Sequence, residues 1–535
     1  MQSARFYQIL WFSLVTVLVW YWPNRPQAGN VTMPDARFES VSYAPFTAWQ
    51  SPLTKDFANS SQVAQDLHLI ANSADGVRTY ASIEGNFDIG TLAKQAHLKV
   101  WEGIWLDANP RENAREMAAG IKEANEHPKT VTRVVVGNEV LLRRDLSVKN
   151  LIKDIDSVRK EVKQPVAYAD VPKFWFEFPQ VAKHVDIVMI HLLPYWQNHP
   201  VDVNAAIARI ARTIEEVKRR FPEKKISVGE TGWPSRGRWR GGAAPSRVNE
   251  IVFLRKFVTL AEREHIDYNL IEAFDQNWKY HDEGVAGANW GIWNAARVPK
   301  FPLHGAVVEM PRWRLYAFAA LVLGSGFVLV FGVSRLAAMT LAFGLSNALV
   351  YATATTLHTL YDFSLLVCAS VNLPAQALFA YTALRRATIG RVYPPASGID
   401  TIKLMRSALS GHMRLHQFRQ EAFDHLWFLF VVTASILQMM LVFDPRYRDA
   451  PFAVFAVPIF IAIWRLWNGD LPCVDTWGDV VPSLILAGGA LMSAIISGAA
   501  NTEFLIWNTL AIILAAPGLV GVWRRSGFRS ITGHC

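Results

Sequence analysis

The sequence predicts an α/β chain in two parts: a (β/α)8 TIM barrel followed by an all-α, multi-span transmembrane domain. Three observations carry this. Between residues 30 and 310, strand-like apolar runs alternate with amphipathic helical patterns. Two of those runs, Val134-Val135-Val136-Gly137-Asn138-Glu139 and Ile226-Ser227-Val228-Gly229-Glu230, lack the alternation of a half-exposed strand and end on a glutamate, as buried parallel strands with a carboxylate at their C-terminal end would. From residue 311 onward, long apolar runs dominate.

Taken in order, Phe6 to Trp22 is apolar, follows Arg5 and ends on Trp20-Tyr21-Trp22. The aromatic end and the lack of a small-x-small cleavage site favour an uncleaved anchor over a signal peptide. Residues 1–29 form this anchor and the start of a Pro-rich linker. Eight strands are predicted at Ser40–Phe46, Val77–Ala81, Val100–Leu106, Arg133–Glu139, Pro165–Val171, Asp186–Leu192, Lys225–Glu230 and Tyr268–Phe274. Helices are predicted at Ser61–Ser73, Arg111–Glu126, Ser147–Val162, Val203–Phe221 and Ser246–His265, with apolar residues at i, i+3, i+4 spacing. Eight β/α units in about 270 residues fit a barrel of parallel strands, whose active sites lie at the strands' C-terminal ends. No Gly-rich phosphate loop follows the first strand, which disfavours the doubly wound alternative.

Residues 311–535 are expected to hold seven spans: Leu315–Val333, Ala337–Leu357, Phe363–Tyr381, Leu426–Phe443, Phe452–Trp467, Val480–Ala500 and Phe504–Trp523. Phe452–Trp467 is the weakest, because Arg465 interrupts it. With the anchor there are eight, so both termini fall on one side. The basic loop 385–424 (Arg385, Arg386, Arg391, Lys403, Arg406, Arg414, Arg419) and the tail with Arg524, Arg525 and Arg529 then both fall in the cytoplasm. This places the barrel outside it: a multi-pass bacterial inner-membrane protein with a periplasmic barrel. The net charge of +9 is accounted for by this orientation, and no nucleic-acid partner is expected. The three cysteines, Cys368, Cys473 and Cys535, all lie outside the barrel region, so neither a disulfide framework nor a Cys metal site is expected there. No metal cluster, Ser-His-Asp order or phosphate loop stands out, and no cofactor is expected.

Two carboxylates facing each other across a barrel mouth are what glycoside cleavage needs. The stretches Val136-Gly137-Asn138-Glu139 and Val228-Gly229-Glu230-Thr231-Gly232-Trp233-Pro234-Ser235 closely resemble the two signatures of glycoside hydrolase family 17, the β-1,3-glucanase family. Pro194-Tyr195-Trp196 resembles its strand-six motif. Phe274-Asp275-Gln276-Asn277-Trp278-Lys279, with Glu283 and Trp290-Gly291-Ile292-Trp293, resembles its last-strand motif. The resemblance covers roughly residues 38–305. It implies the same barrel and a retaining mechanism, with Glu139 as acid/base and Glu230 as nucleophile. A retaining acid must start protonated, so the surroundings of Glu139 are expected to raise its pKa. The resemblance also implies a substrate-binding set. Asn138 is expected on the sugar 2-OH, Arg78 orienting a carboxylate, and Tyr195 on the nucleophile or a sugar hydroxyl. Lys279 and Glu283 are expected to bind substrate or pair with each other. Trp196, Trp233 and Trp278 are the preferred stacking platforms among seven tryptophans (with Trp175, Trp239, Trp290 and Trp293). The chain departs from the plant-type pattern at Leu193, where those enzymes carry Tyr, and at Gln276, where they carry Glu.

A covalent glycosyl-enzyme can be resolved by water or by a sugar hydroxyl. The membrane architecture together with the motifs resembles the bacterial membrane-bound members that build β-1,6 linkages in periplasmic cyclic glucans. This favours β-1,3-glucan transglycosylation over hydrolysis, with the bilayer and a membrane glucan synthase as partners. The alternatives are a β-1,3-glucan hydrolase, or a glucan-binding export protein without catalysis, for which Asn347, Asp362 and Asn372 are path candidates. A nucleotide-sugar synthase is disfavoured, because loop 385–424 is too small for such a domain.

Overall fold

A computed structural model describes residues 2–34, 37–85, 87–393, 395–411, 415–444, 447–474, 477–498 and 501–528. Arg414, Arg529 and Cys535 lie outside them. The chain divides into two compact units, Pro26–Val308 and a second made of Met1–Arg25 with Glu309–Cys535.

The first unit is a closed barrel of eight parallel strands in sequence order: β1 Val41–Ser42, β2 Gly76–Arg78, β3 Lys99–Ile104, β4 Val131–Asn138, β5 Val166–Asp170, β6 Ile187–Leu192, β7 Lys225–Thr231 and β8 Asp267–Leu270. All eight fall within or beside the predicted stretches. The expected strand Ser40–Phe46 keeps only two ladder residues, and Tyr43 continues with a single bond to Arg78 O. The interior is filled by Trp101, Val135, Ala167, Ala169, Ile187 and Met189, closed by Arg133, which lies 3.8 Å over the Trp101 ring and pairs with Asp267. Apolar strand residues facing outward pack on the surrounding helices, which is why these runs do not alternate.

The five predicted helices are present: Ser60–Ile70, Pro110–Glu126, Val148–Glu161, Val203–Arg220 and Arg247–Glu264. Each starts where a short polar side chain caps it: Asn59, Asn109, Ser147, Asp202 and Ser246 accept from backbone N–H groups of the first turn. Shorter helices that the periodicity does not reveal, Ile89–Gln95, Pro172–Glu177 and Tyr280–Gly287, fill the remaining connections.

In the second unit, six helices are long and apolar enough to cross a membrane: Trp313–Val330, Leu336–Leu357, Phe363–Ile389, Ala422–Phe443, Trp477–Ser497 and Thr502–Arg524. Two further apolar helices, Phe6–Tyr21 and Ala456–Asn468, are shorter. The basic stretch is less of a loop than expected. Arg385 and Arg386 ride on the end of Phe363–Ile389, and residues 398–409 form a helix opened by a Ser397–Asp400 capping box. Arg465, which broke the apolar run, is fully buried. It pairs with Asp424 at 2.7 Å and lies over the rings of Phe423 and Trp427, beside Arg386, which pairs with Asp424 and Asp470. A buried arginine is tolerated here because its charge is matched. The polar residues considered for a path serve the helices. Asn347 bonds Trp20 and Thr16, Asp362 caps the helix that starts at Phe363, and Asn372 bonds Val454 O.

Candidate active site

The C-terminal ends of β2, β4, β6 and β7 bring one connected group together. Glu139 follows β4 directly and lies in the left-handed region, φ +54°, unusual for a residue with a side chain. Its N–H donates to Ala169 O. Gly137 is at φ +86°, and a Cβ there would meet Val140 within 2.8 Å, so the turn that presents Glu139 requires glycine. Glu230 sits in β7 with His191 of β6 opposite it in register. The ladders are irregular beside each residue, between Val135 and Asn138, Ile190 and His191, and Val228 and Thr231. Bulges of this kind re-aim side chains beside active sites.

His191 lies between the two glutamates, its Nδ1 at 2.9 Å from Glu139 Oε1 and 3.6 Å from Glu230 Oε2. Arg78, 1% exposed, binds the group from β2. One guanidinium nitrogen donates to Gly229 O at 2.8 Å and lies 3.4 Å from Glu230 Oε1 and 3.3 Å from His191 Nε2; the other donates to Asn138 Oδ1 at 2.6 Å. The Tyr80 ring stacks on this guanidinium. One atom each from Glu139, His191 and Glu230 lie within 4.8 Å of one another. A retaining pair requires carboxyl groups about 5–5.5 Å apart, an inverting pair about 6.5–9.5 Å.

The electrostatics correct one expectation. Burial pushes the Glu139 carboxyl up, but the hydrogen bond from His191 and the neighbouring Arg143 and Arg78 guanidinium groups outweigh it, and the net direction is downward. Two other carboxylates of the site are raised, Glu283 interacting with Glu139 and Glu272 with Glu283. Burial lifts Glu272 to about 7 against the opposing Lys279 charge, and burial also raises Glu283, with Glu230 and Glu139 adding to the effect.

The remaining predicted residues divide by exposure. Arg78 faces protein groups only and is too buried to bind substrate. Tyr195, 1% exposed, donates its hydroxyl to Arg238 O rather than to the nucleophile. Trp233, also 1% exposed, is packed on Phe253 with its indole N–H on Ala244 O, so no sugar can stack on it. Trp175, Trp290 and Trp293 are buried too. Trp196, stacked on Trp290, and Trp278 are half-buried, as is Trp239. Lys279 pairs with Glu272 at 2.8 Å, not with Glu283. Gln276 donates to Ala44 O and Phe274 O and accepts from the Trp278 indole, so it orients that ring where the plant-type enzymes carry an acid. Asn138 accepts from Arg78 through its side-chain oxygen.

Sequence reasoning missed His191, Glu272 and Tyr80. A signal was available for His191: it is a polar residue at the end of the run Ile187-Val188-Met189-Ile190, matching Glu230 at the end of its own run. A cation could in principle share Glu139, His191 and Glu230, but the Arg78 guanidinium beside Glu230 already supplies positive charge there. Among the described residues a second ligand-type cluster, Asp88, Glu123 and His127, is committed to capping: Asp88 accepts from Thr91 and Glu123 from Gly90 N–H.

Residues 40–291 match the family model of the BtgE/BtgC glycoside hydrolase domain. A probable glucan endo-1,3-beta-glucosidase btgC of Aspergillus clavatus is 26% identical over 293 residues, 49% of this chain and 41% of the relative. The chain thus spans less than half the length of that relative. Glucan 1,3-beta-glucosidase BGL2 of Candida albicans is 26% identical over 266 residues, 44% of this chain and 84% of the relative. Among solved structures, an active-site mutant of Rhizomucor miehei beta-1,3-glucanosyltransferase in complex with laminaritriose is 26% identical. It covers 49% of this chain and 95% of its own, with a TM-score of 0.43. The barrel of this chain is thus similar to the BtgE/BtgC glycoside hydrolase domain, in keeping with the resemblance of its motifs to glycoside hydrolase family 17.

Proposed function

We propose that the chain is a membrane-bound retaining β-1,3-glucan enzyme that transfers the cleaved glucan to an acceptor sugar, forming β-1,6 linkages in a periplasmic glucan. The observation that supports the retaining part is the spacing of Glu139 and Glu230, with one oxygen of each lying within 4.8 Å, nearer to the separation of a retaining pair than to that of an inverting one. Glu230 attacks the anomeric carbon with Arg78 holding a permanent positive charge beside it, while Glu139 gives its proton to the leaving oxygen. Substrate binding excludes water and brings the glycosidic oxygen to Glu139, which favours its protonated form against the opposing pull of His191, Arg143 and Arg78. In the second half-reaction Glu139, now a base, takes the proton of the incoming hydroxyl. Asn138 bonds the 2-OH through its NH2 group, Lys279 and Glu283 contact substrate at the rim, and Trp196 and Trp278 stack on pyranose rings.

Transfer needs an acceptor held better than water, at about 55 M, can compete; well-oriented groups reach about 10⁵ M or more. Half-exposed Trp196 and Trp278 support such a hold. The glucosidase names of the curated relatives favour the hydrolase reading instead. The six long apolar helices support placement in a membrane, and the basic residues at one end of them support a cytoplasmic side for the termini and an external side for the barrel. The test is to incubate the purified full chain with linear β-1,3-gluco-oligosaccharides and to analyse product masses and linkages, with Glu139→Gln and Glu230→Gln as controls that lose turnover while staying folded. Products longer than the donor, or rings, support transfer; only shorter linear sugars at millimolar donor would make the protein a glucanase. Near-normal turnover of either control removes the catalytic assignment.

A further inference from the structure

We propose that His191 is a positioning residue that dictates which oxygen of Glu139 carries the catalytic proton, an inference resting on the retaining reading above. His191 is 2% exposed and lies between the two carboxylates. Its Nε2 lies 3.3 Å from an Arg78 guanidinium nitrogen. A guanidinium nitrogen only donates, so Nε2 must accept, and the ring carries its proton on Nδ1. Two acceptors face Nδ1. Glu139 Oε1 at 2.9 Å is within hydrogen-bond range, whereas Glu230 Oε2 at 3.6 Å is not. The Nδ1–H therefore donates to Glu139 Oε1 and occupies it. When Glu139 is protonated, the proton resides on Oε2, the oxygen left free for substrate.

The backbone is arranged for this contact. His191 is fixed in β6 opposite Glu230, and a Cβ on Gly229 would come within 3.1 Å of the imidazole Cδ2 and 2.7 Å of Met189. A side chain at Gly229 would crowd the imidazole and the Met189 side chain beside it. Arg78 thus acts twice: it faces Glu230 directly, and it fixes the tautomer of the residue that orients Glu139.

The chemical consequence follows step by step. In glycosylation the Oε2–H bond breaks as its proton goes to the glycosidic oxygen. The bond from that oxygen to the anomeric carbon breaks, and the Glu230–carbon bond forms. Glu139 becomes anionic, so the Nδ1–H···Oε1 bond strengthens as the reaction proceeds and stabilises the transition state more than the ground state. In the second half the acceptor hydroxyl returns a proton to Oε2, its oxygen bonds to the anomeric carbon, and the Glu230 ester breaks. The Oε1 side stays on His191 throughout, so one carboxylate oxygen serves as both acid and base.

The charged and titratable groups around Glu139 and His191 are Arg78 from β2, Arg143 after Glu139, Asp170 from β5, Glu230 from β7 and Glu283. His191→Ala removes the Nδ1–H bond to Glu139 and the Nε2 contact with Arg78, while Arg78 keeps its bonds to Gly229 O and Asn138. A bond donated to a carboxylate favours its ionised form, so without it Glu139 holds its proton to higher pH.

The test compares the wild-type full chain, His191→Ala and His191→Asn on two donors, a β-1,3-gluco-oligosaccharide and its dinitrophenyl glycoside, whose leaving group needs no proton. Asn can place its amide N–H where Nδ1–H stood. His191→Ala should lower kcat on the oligosaccharide roughly 10- to 100-fold, the range of a hydrogen bond to a charged group, and lower it far less on the dinitrophenyl donor. The basic limb of its pH profile should move up, and His191→Asn should recover most of the loss. Equal losses on both donors, a basic limb unmoved or moved down, or a stably folded His191→Asn no better than His191→Ala would each overturn the proposal. If the wild type cleaves neither donor, the retaining reading fails first. If the wild type is active, Glu139→Gln is not and His191→Ala is unimpaired, only the assignment of His191 falls.

Discussion

Arg78→Lys keeps the charge and loses the fork. The guanidinium serves two sides at once: Gly229 O, Glu230 Oε1 and His191 Nε2 from one nitrogen, and Asn138 Oδ1 from the other. A lysine ends in a single nitrogen and cannot bridge them. The shortest contact is to Asn138 at 2.6 Å, and the pairing with Glu230 is long at 3.4 Å, so the first loss is the orientation of Asn138, with the ion pair secondary. A charge-assisted hydrogen bond contributes about 1.5–3 kcal/mol, so one such loss in the transition state lowers kcat/KM by roughly 10- to 100-fold. Arg78→Ala goes further: it leaves the Glu230 carboxylate buried without its counter-charge, a loss of about 3–5 kcal/mol that also appears in stability. The assay is steady-state cleavage of a β-1,3-gluco-oligosaccharide alongside a thermal melt. Arg78→Lys should lose rate with little change in Tm, and Arg78→Ala should lose both. A rate for Arg78→Lys within twofold of wild type would refute the role assigned to the fork.

Three further outcomes are expected. Trp278→Ala should raise the ratio of hydrolysis to transfer more than it lowers total donor cleavage, whereas Trp233→Ala, which opens a core cavity, should destabilise the barrel by about 3–5 kcal/mol; product analysis and melts separate the two. Burial raises the Glu102 carboxyl to about 8. The folded protein thus keeps a proton there that the unfolded chain releases near 4.5, and stability falls as pH rises between those values. Glu102→Gln should therefore gain stability over wild type at pH 8 relative to pH 5, and a difference that stays flat with pH would refute the linkage. A reporter active only in the periplasm, fused after Cys535, should be silent, and strong signal would mean that the parity of crossings is wrong.

The barrel was legible because each strand is a run of apolar residues too short for a helix, separated by amphipathic stretches opened by Asn, Asp or Ser caps. The two glutamates were legible because each closes such a run. What the sequence hid was exposure and partner choice. Nothing in Gly-Trp-Pro separates a platform from a core ring, and Trp233 proves to be core because the helix Arg247–Glu264 brings Phe253 against it. Lys279 and Glu283 were expected to bind substrate or pair with each other, yet the 3-10 turn at Asn277–Lys279 places the lysine on Glu272, just past the end of β8. The direction of the Glu139 shift depends on His191, fifty-two positions away, and no local pattern encodes that.

The weakest apolar run, Phe452–Trp467, shows how a polar residue in such a region can be explained by the backbone it serves. Its helix covers only Ala456–Asn468, about 20 Å at 1.5 Å per residue, short of the roughly 30 Å of a bilayer core. The helix nonetheless runs alongside Phe363–Ile389 in the same direction. Val457 N–H donates to Gln376 near one end, and near the other Arg465 and Arg386 share Asp424. The chain leaves the preceding helix at Phe443, and by Phe455 it is already level with Phe430, about four turns back. Residues 447–455 cover that depth without helix. Non-helical backbone at such a depth is tolerated only where protein groups satisfy it. Gln376 donates to Ala453 O and Asn372 to Val454 O. On the proposed membrane placement, Asn372 and Gln376 are the groups that allow a short helix to complete a full crossing. The count of crossings then stays even, and the two basic termini stay on one side.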